Sequence, residues 1–167
     1  MVECKNLDPT ALGLFLVAIV SFALAFTRLL VDVDVTYVPV MPSFFMAMGI
    51  LALFVAYFAY RAESQFGFTV FALVGMAVFL TGFGMGTWEC IFFGVVFLLT
   101  ILWSLFAKTP KSLTIILVMT TLIFLFVGIE SMMTDNLNLL IGIVALLNGI
   151  FAIYLAFALA TEKLPVF

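Results

Sequence analysis

Few residues of this 167-residue chain carry side chains that could do chemistry, and most of those lie within long apolar stretches. Asn148, Thr120 and Thr121 fall in the middle of such stretches, and Thr69 falls closer to an end. A polar side chain in apolar surroundings costs free energy unless it is hydrogen-bonded. A threonine within a helix usually bonds a carbonyl of the same helix, which favours a structural role for the threonines. The amide of Asn148 cannot be satisfied in that way, so a structural hydrogen bond and the lining of a pore remain equally open.

Two charged residues, Arg28 and Glu130, lie near the ends of apolar stretches. Ionisable residues at membrane depth are costly and usually face a partner or a water-filled space. Two interpretations are open for them. They are either interfacial residues beside the lipid headgroups or a pair at the mouth of a pore, where Arg28 would concentrate anions.

The sequence lacks the residue sets that catalysis and metal binding need. It contains no histidine, which removes the usual metal ligand and the side chain that titrates near neutral pH. Its two cysteines, Cys4 and Cys90, have no zinc or redox spacing. A glycine-rich phosphate loop, a pair of carboxylates within the apolar stretches and a basic surface for nucleic acid are also missing. We therefore expect no enzyme activity, metal, cofactor or nucleic-acid partner, and the remaining hydroxyls, amide and aromatic rings favour passage of a small solute.

The composition places these residues in a membrane. The chain is 67% hydrophobic and 9% charged, whereas a soluble domain is about 45–50% apolar and about 25% charged. A spanning helix needs about 20 apolar residues, and hydropathy predicts six such helices in a single domain over residues 1–167. The predicted fold class is therefore an all-α membrane protein with transmembrane helices at 10–30, 41–61, 66–84, 87–107, 112–133 and 137–160.

The distribution of basic residues predicts the orientation. With six spans, both termini share one side of the membrane with the loops between spans two and three and between spans four and five. That side carries Lys5, Arg61, Lys108, Lys111 and Lys163. Only Arg28, of the six Lys and Arg residues, lies toward the other side. Cytoplasmic loops are enriched in Lys and Arg, so we expect both termini inside and the protein in the cytoplasmic membrane.

Small residues recur at three- and four-residue steps in spans one and six. Such stripes allow helix backbones to approach closely in lipid, so we expect them at helix–helix contacts, although small residues also leave room for a narrow pore. They are Ala11, Ala18, Ser21 and Ala25 in span one, and Gly142, Ala145, Gly149, Ala152, Ala156 and Ala160 in span six.

Four stretches of the chain resemble motifs of the acetate uptake transporters, the succinate–acetate permease group. Residues 8–14, Asp-Pro-Thr-Ala-Leu-Gly-Leu, are similar to the Asn-Pro-Ala-Pro-Leu-Gly-Leu motif that begins the first helix in this family. The other stretches are 47–49, 66–71 and 149–156, in order along nearly the whole chain. The resemblance implies a homo-hexamer of six-helix protomers in lipid, each with its own pore for acetate and related short monocarboxylates.

The resemblance also implies where the pore is narrowest. A Phe, a Tyr and a Leu form the constriction in the family, and the corresponding positions here are Val17, Val74 and about Met119. All three are apolar, but the aromatic rings and the tyrosine hydroxyl are gone, so a larger or different solute could pass. Asn148 and Thr121 are the foremost candidates for polar groups that face this pore.

Two residues of the first motif bear on the mouth of the pore. Asp8 replaces the Asn of the family motif and is either a helix cap or a negative charge beside the route of an anion. Gly13 lies one turn into the helix, where glycine costs about 1 kcal/mol relative to alanine. Its presence therefore indicates close approach of a backbone or a solute.

Three functions remain open at this point. The first is transport of acetate or another short monocarboxylate, most easily as the neutral acid, because a bare carboxylate has a large desolvation penalty. The second is a channel for a small neutral solute such as urea or a short amide. The third is a subunit of a membrane complex without a pore, which would carry no flux and would co-purify with a partner.

Overall fold

The computed structural model of the chain describes residues 9–30, 41–133 and 137–161. These ranges form α-helices without any strand. The six helices in them are α1 (Thr10–Leu29), α2 (Met41–Arg61), α3 (Gln65–Phe83), α4 (Thr87–Phe106), α5 (Lys111–Glu130) and α6 (Asn138–Thr161). Each is long and apolar enough to cross a membrane. The prediction of an all-α, multi-pass membrane protein with six spans is thereby confirmed.

The ends of α3 follow from its local sequence. The helix begins after Ser64, whose hydroxyl accepts a hydrogen bond from the backbone N–H of Gly67 at 3.2 Å, as an N-cap residue does. It ends at Gly84, which has a φ of 84°. Glycine adopts this left-handed conformation without steric cost, so the chain can turn sharply into α4.

The end of α5 differs from the end of its apolar run, which continues through Met133. The helix stops at Glu130, and the hydroxyl of the next residue, Ser131, donates to the carbonyl of Gly128 at 2.7 Å. The same hydroxyl lies 2.6 Å from the Thr87 hydroxyl at the start of α4. These polar contacts tie the last turn of α5 to α4, which hydropathy alone does not show.

The helices associate largely in pairs, with α2 along α3, α1 along α6 and α4 along α5, while α5 also contacts α6. Glycines allow close approach in the first pair. A Cβ at Gly49 would lie 2.5 Å from the backbone nitrogen of Phe79, and one at Gly75 would lie 2.9 Å from that of Leu53. Since helices in lipid associate through such contacts, the α2–α3 pair forms one tightly joined unit.

Most of the small residues of spans one and six are buried at helix contacts, as expected, and the two helices pack against each other, although Ala160 is exposed. Ala18, Ala25, Ala145 and Ala152 are completely inaccessible to solvent. A Cβ at Gly149 would lie 2.8 Å from the ring of Phe22. The stripes therefore serve helix contact along the α1–α6 pair.

The two halves of the bundle differ in how well they are filled. Toward the Thr10 end of α1, an apolar cluster fills the space between α1, α2, α3, α5 and α6, and we call this the closed half. Its centre consists of Leu14, Val55, Phe71, Ile116 and Leu155, each at most 3% exposed. Helix α3 touches α1 and α4 at few places. A cavity separates the helices toward the Arg28 end, and we call this the open half.

Candidate pore and its polar group

A cavity of about 260 Å³ occupies the open half. All six helices contribute to its wall, which runs along α1 from Leu16 and Val17 to Arg28. At 1.5 Å per residue, the eleven steps from Val17 to Arg28 give a depth of roughly 16 Å. About 10–15 Å³ is enough to hold one water molecule, so the cavity has room for several waters or a small organic solute.

Apolar side chains form the floor of the cavity. Val17 and Val74 line it at the boundary with the closed half, and both contact the apolar cluster there. Phe97 and Phe124 add aromatic wall from α4 and α5, with stacked rings whose centroids are 5.5 Å apart. A solute that leaves the cavity through this floor must therefore pass between apolar groups.

A polar group of three side chains lies in the cavity wall, at the middle of the bundle. The Asn148 Nδ2 donates to the Ser21 hydroxyl at 2.9 Å and to the Thr120 hydroxyl at 3.3 Å. The three residues come from α6, α1 and α5, are each at most 9% exposed, and all line the cavity. We call Asn148, Ser21 and Thr120 the polar group.

One atom of the polar group has no partner in the part of the chain that the structure describes. The Oδ1 of Asn148 is buried and accepts no hydrogen bond from the protein. Buried polar atoms in native proteins nearly always have a partner, and ordered water or a ligand supplies it where the protein does not. The amide oxygen therefore offers an acceptor in the wall of the cavity. Asn148 thus makes a structural hydrogen bond and also lines the cavity, while its place in a pore stays a prediction.

The charged residues Arg28 and Glu130 meet at the mouth of the cavity. The Arg28 Nη1 lies 2.8 Å from the Glu130 Oε2 and also donates to the Asn138 Oδ1 at 2.6 Å. These contacts join α1, α5 and α6 at one end of the bundle. Arg28 also lines the cavity, so a pair at the mouth of a pore stays a prediction.

The packing of the closed half explains why residue 13 is a glycine. A Cβ on Gly13 would overlap the ring of Phe71, which is 3% exposed. The close approach that this glycine indicated is therefore that of an aromatic side chain of α3. Two of the motif stretches that carry the resemblance, 8–14 and 66–71, meet at this contact.

Three further predicted residues lie away from the cavity wall, namely Met119, Thr121 and Thr69. Met119 packs against the apolar cluster that contains Ala25 and Val144, and the structure places Thr120 at the cavity in its stead. Thr121 is buried and donates to the carbonyl of Leu117 at 2.8 Å. A step of one residue turns a helix by about 100°, so neighbouring side chains on α5 point in different directions.

Thr69 also keeps its hydrogen bond within its own helix, where it donates to the carbonyl of Gln65 at 3.0 Å. It is partly exposed on the surface of the bundle. The threonine interpretation that the sequence favoured thus fits Thr69 and Thr121, but Thr120 is a pore-lining exception. Asp8 lies outside the described residues.

Sequence reasoning missed several residues of the wall. Ser21 was assigned to a small-residue stripe, and only its hydroxyl distinguished it from the alanines beside it. Phe97 carried no signal, because the chain contains 21 phenylalanines. Met48 and Thr81 also line the cavity. Met48 belongs to one of the stretches that resemble the family, so its motif could have identified it.

The chemistry that this site supports is binding and passage. Its described residues hold no cluster of three or more His, Cys, Asp or Glu for a metal ion. The wall combines apolar side chains with the polar group at mid-depth and a neutralised ion pair at the mouth. Such a wall suits a small solute with one polar end and one apolar end.

Comparison with solved structures identifies a close match in fold. The chain superimposes on the bacterial acetate channel SatP with a TM-score of 0.80 and 20% sequence identity, over 96% of this chain and 99% of that one. Neither the protein-family models nor the curated protein sequences contain a match to this sequence. The likeness shows that the chain has the SatP fold over nearly its whole length, as the resemblance of the four motif stretches implied.

Proposed function

We propose that this chain is a membrane channel for acetate and related short-chain monocarboxylates, with a narrow, largely apolar pore in each protomer. The observation that carries the proposal is the cavity from Arg28 to the Val17–Val74 floor, within a fold shared with an acetate channel. Unrelated functions can share a fold. The size and lining of the cavity are therefore the independent support.

The solute crosses as the undissociated acid. The charged residues in the described part of the cavity wall are limited to Arg28, whose charge is compensated by Glu130 at 2.8 Å. A carboxylate that moved deeper would lose its hydration without gaining a counter-charge, which is costly in apolar surroundings. The neutral acid has a methyl end for the apolar wall and a carboxyl end for the polar group. Val17 and Val74 form the constriction through which it leaves.

The arrangement in the membrane follows from the charge distribution. The open half faces the outside of the cytoplasmic membrane, and both termini lie in the cytoplasm. The protomers form a homo-hexamer, as the resemblance to the acetate uptake transporters implies, with no partner other than lipid and solute. Chemical cross-linking in native membranes tests the hexamer, and the labelling of Cys4 by impermeant reagents added from one side or the other tests the orientation.

Uptake of radiolabelled acetate into proteoliposomes tests the function. A carboxylic acid such as acetic acid titrates near the reference value for Glu, about 4.3, so uptake at constant total acetate should rise as the external pH falls toward that value. Because neutral acids also cross lipid unaided, the control is vesicles that contain a Val17→Trp variant with a blocked pore. Equal uptake in both kinds of vesicle at every pH would contradict the proposal.

A channel for a small neutral solute such as urea or a short amide is the second candidate. The unpartnered Oδ1 of Asn148 favours it, because an amide N–H can donate to that atom. Swelling of proteoliposomes in a solute panel separates the two candidates. Urea or acetamide flux that is independent of pH, without acetate uptake, would support the second candidate. Absence of flux for every solute would instead favour a subunit without a pore.

A further inference from the structure

We propose that the Asn148 amide oxygen is a selectivity site that binds a hydrogen-bond donor of the solute, and hence the O–H of an undissociated monocarboxylic acid. The inference rests on the proposed function, since it names the form of the substrate that the same cavity binds. It assigns a specific atom of the wall to recognition, which neither the fold likeness nor the motif stretches do.

The hydrogen-bond inventory of the polar group leads to this assignment. Asn148 has two amide hydrogens, and its Nδ2 donates to the hydroxyls of both Ser21 and Thr120. The other polar atom of the side chain, Oδ1, has no partner among the described residues although it is buried. The amide donors are therefore occupied, and the available function is that of an acceptor.

The contacts with the two hydroxyls set the orientation of the amide. The Asn148 Nδ2 lies 2.9 Å from the Ser21 hydroxyl oxygen and 3.3 Å from that of Thr120, and each of these oxygens has lone pairs that accept a hydrogen bond. With the amide N–H groups directed at Ser21 and Thr120, Oδ1 is left for the solute.

Such a site prefers solutes that can donate a hydrogen bond over solutes that can only accept one. An undissociated acid, a primary amide or urea can donate to Oδ1, whereas a carboxylate anion has acceptors only. An anion would place negatively charged oxygen against an amide oxygen, and the one cation in the described cavity wall, Arg28, belongs to a position seven residues from Ser21, about 10 Å along the axis of α1. The polar group therefore selects against the anion at the depth where the pore becomes apolar.

Ligand binding to the purified, detergent-solubilised protein tests this site without dependence on transport. Acetamide and acetone have similar size, but only acetamide carries a donor, so they are matched probes. Acetamide should bind about tenfold more tightly than acetone, as expected for one hydrogen bond to a buried acceptor. The measurement is the ligand-dependent rise in the midpoint of thermal unfolding. Acetate well above its pKa should give no more stabilisation than acetone.

Two variants test whether Asn148 causes the difference in stabilisation between acetamide and acetone. Asn148→Leu keeps the approximate shape of the side chain and removes the acceptor, so the difference between acetamide and acetone should disappear. Thr100→Val is the control, because Thr100 is buried in α4, donates to the Phe97 carbonyl at 2.7 Å and does not line the cavity. That variant should keep the difference. If Asn148→Leu does not fold, the three probes on the unmodified protein still decide the matter.

Each outcome bears on the site or on the channel separately. Equal stabilisation by acetamide and acetone, or a difference that persists in Asn148→Leu, would overturn the site. Preferential binding of the acetate anion through Asn148 would overturn it as well, since it requires amide N–H groups that face the solute. Binding that depends on Asn148 in a protein without solute flux in vesicles would uphold the site and contradict the channel.

Discussion

The closed and open halves of this bundle are built from different kinds of residues. In the closed half, Leu14, Phe71 and Leu155 are buried within an apolar cluster, and Gly13 has no Cβ because the Phe71 ring occupies that space. In the open half, the same helices present Ser21, Thr120 and Asn148 to a cavity. Val17 and Val74 lie at the boundary and belong to both.

Three of the four motif stretches lie largely in the closed half, whereas Met48 of the fourth lines the cavity. The motif stretches 8–14, 66–71 and 149–156 contribute buried residues to the same apolar cluster. The polar group belongs to none of these stretches, although Asn148 directly precedes one of them. A likeness in motif therefore locates mainly the closed half. Most side chains of the cavity wall, including the polar group, lie outside the motif stretches.

Substitutions at the boundary between the halves should have the largest effect on acetate flux. Val17→Trp or Val74→Trp places an indole in the floor of the cavity, and we expect acetate flux to fall to the level of protein-free vesicles. The matched controls are Ile19→Trp and Met76→Trp, two residues further along the same helices at positions that are 46% and 52% exposed. Proteoliposome uptake and the oligomeric state are measured together. Normal flux in both cavity variants would show that the path lies elsewhere.

The closed half should respond to added volume with a loss of stability. Gly13→Val forces side-chain atoms into the Phe71 ring, and overfilling a well-filled core costs about 1–3 kcal/mol. We expect a lower midpoint of thermal unfolding for the purified protein. The double variant Gly13→Val, Phe71→Ala should recover part of that loss, because residues in contact are not additive. A stable Gly13→Val protein would mean that the two residues do not touch.

Adjacent threonines on α5 provide a finer comparison. Thr120→Val removes an acceptor for the Asn148 amide, and the loss of one hydrogen bond, about 0.5–1.5 kcal/mol, should change acetate flux by about twofold to tenfold. Thr121→Val removes a hydroxyl that bonds its own helix, so flux should stay close to the wild-type value. The reverse pattern would place the Thr121 face of α5, and not the Thr120 face, toward the pore.

Substitutions in the ion pair of Arg28 and Glu130 should have the smallest effect on acetate uptake. The side chains of Arg28 and Glu130 are 27% and 18% exposed, and partly exposed pairs contribute at most about 1 kcal/mol. Arg28→Gln should therefore change the uptake of neutral acid by about twofold, and Glu130→Gln by a similar factor. Abolition of uptake in Arg28→Gln alone would indicate that Arg28 binds an anion that the channel transports.

Much of the fold could be predicted from the sequence, because membrane burial imposes long apolar runs. The involvement of small residues in helix contacts also followed from their spacing, but which helices would contact each other did not. The direction in which a single side chain points around its helix could not be predicted. The resemblance gave the α5 constriction position only as about Met119, and one residue of error corresponds to about 100° of rotation. A pair of Arg28 and Glu130 was one of two interpretations that the sequence left open, because hydropathy does not show which residues of distant spans meet.

The polar group illustrates the same limit. Asn148 could be identified from its position in an apolar run, because burial of an unpartnered amide is costly. Its partners could not be identified, since Ser21 looked like one more small residue for helix contact and Thr120 like any threonine that bonds its own backbone. Tertiary packing decides which hydroxyls face the amide.

The central claim is that a neutral acid crosses the apolar floor between the two halves, and its most direct test is acetate uptake under an imposed membrane potential. Proteoliposomes with a potassium diffusion potential of either sign are compared at the same internal and external pH, with Val17→Trp vesicles as the background. The account predicts protein-dependent uptake that is the same at both polarities. Uptake that increases several-fold when the interior is positive would show that the anion crosses, and it would contradict the account.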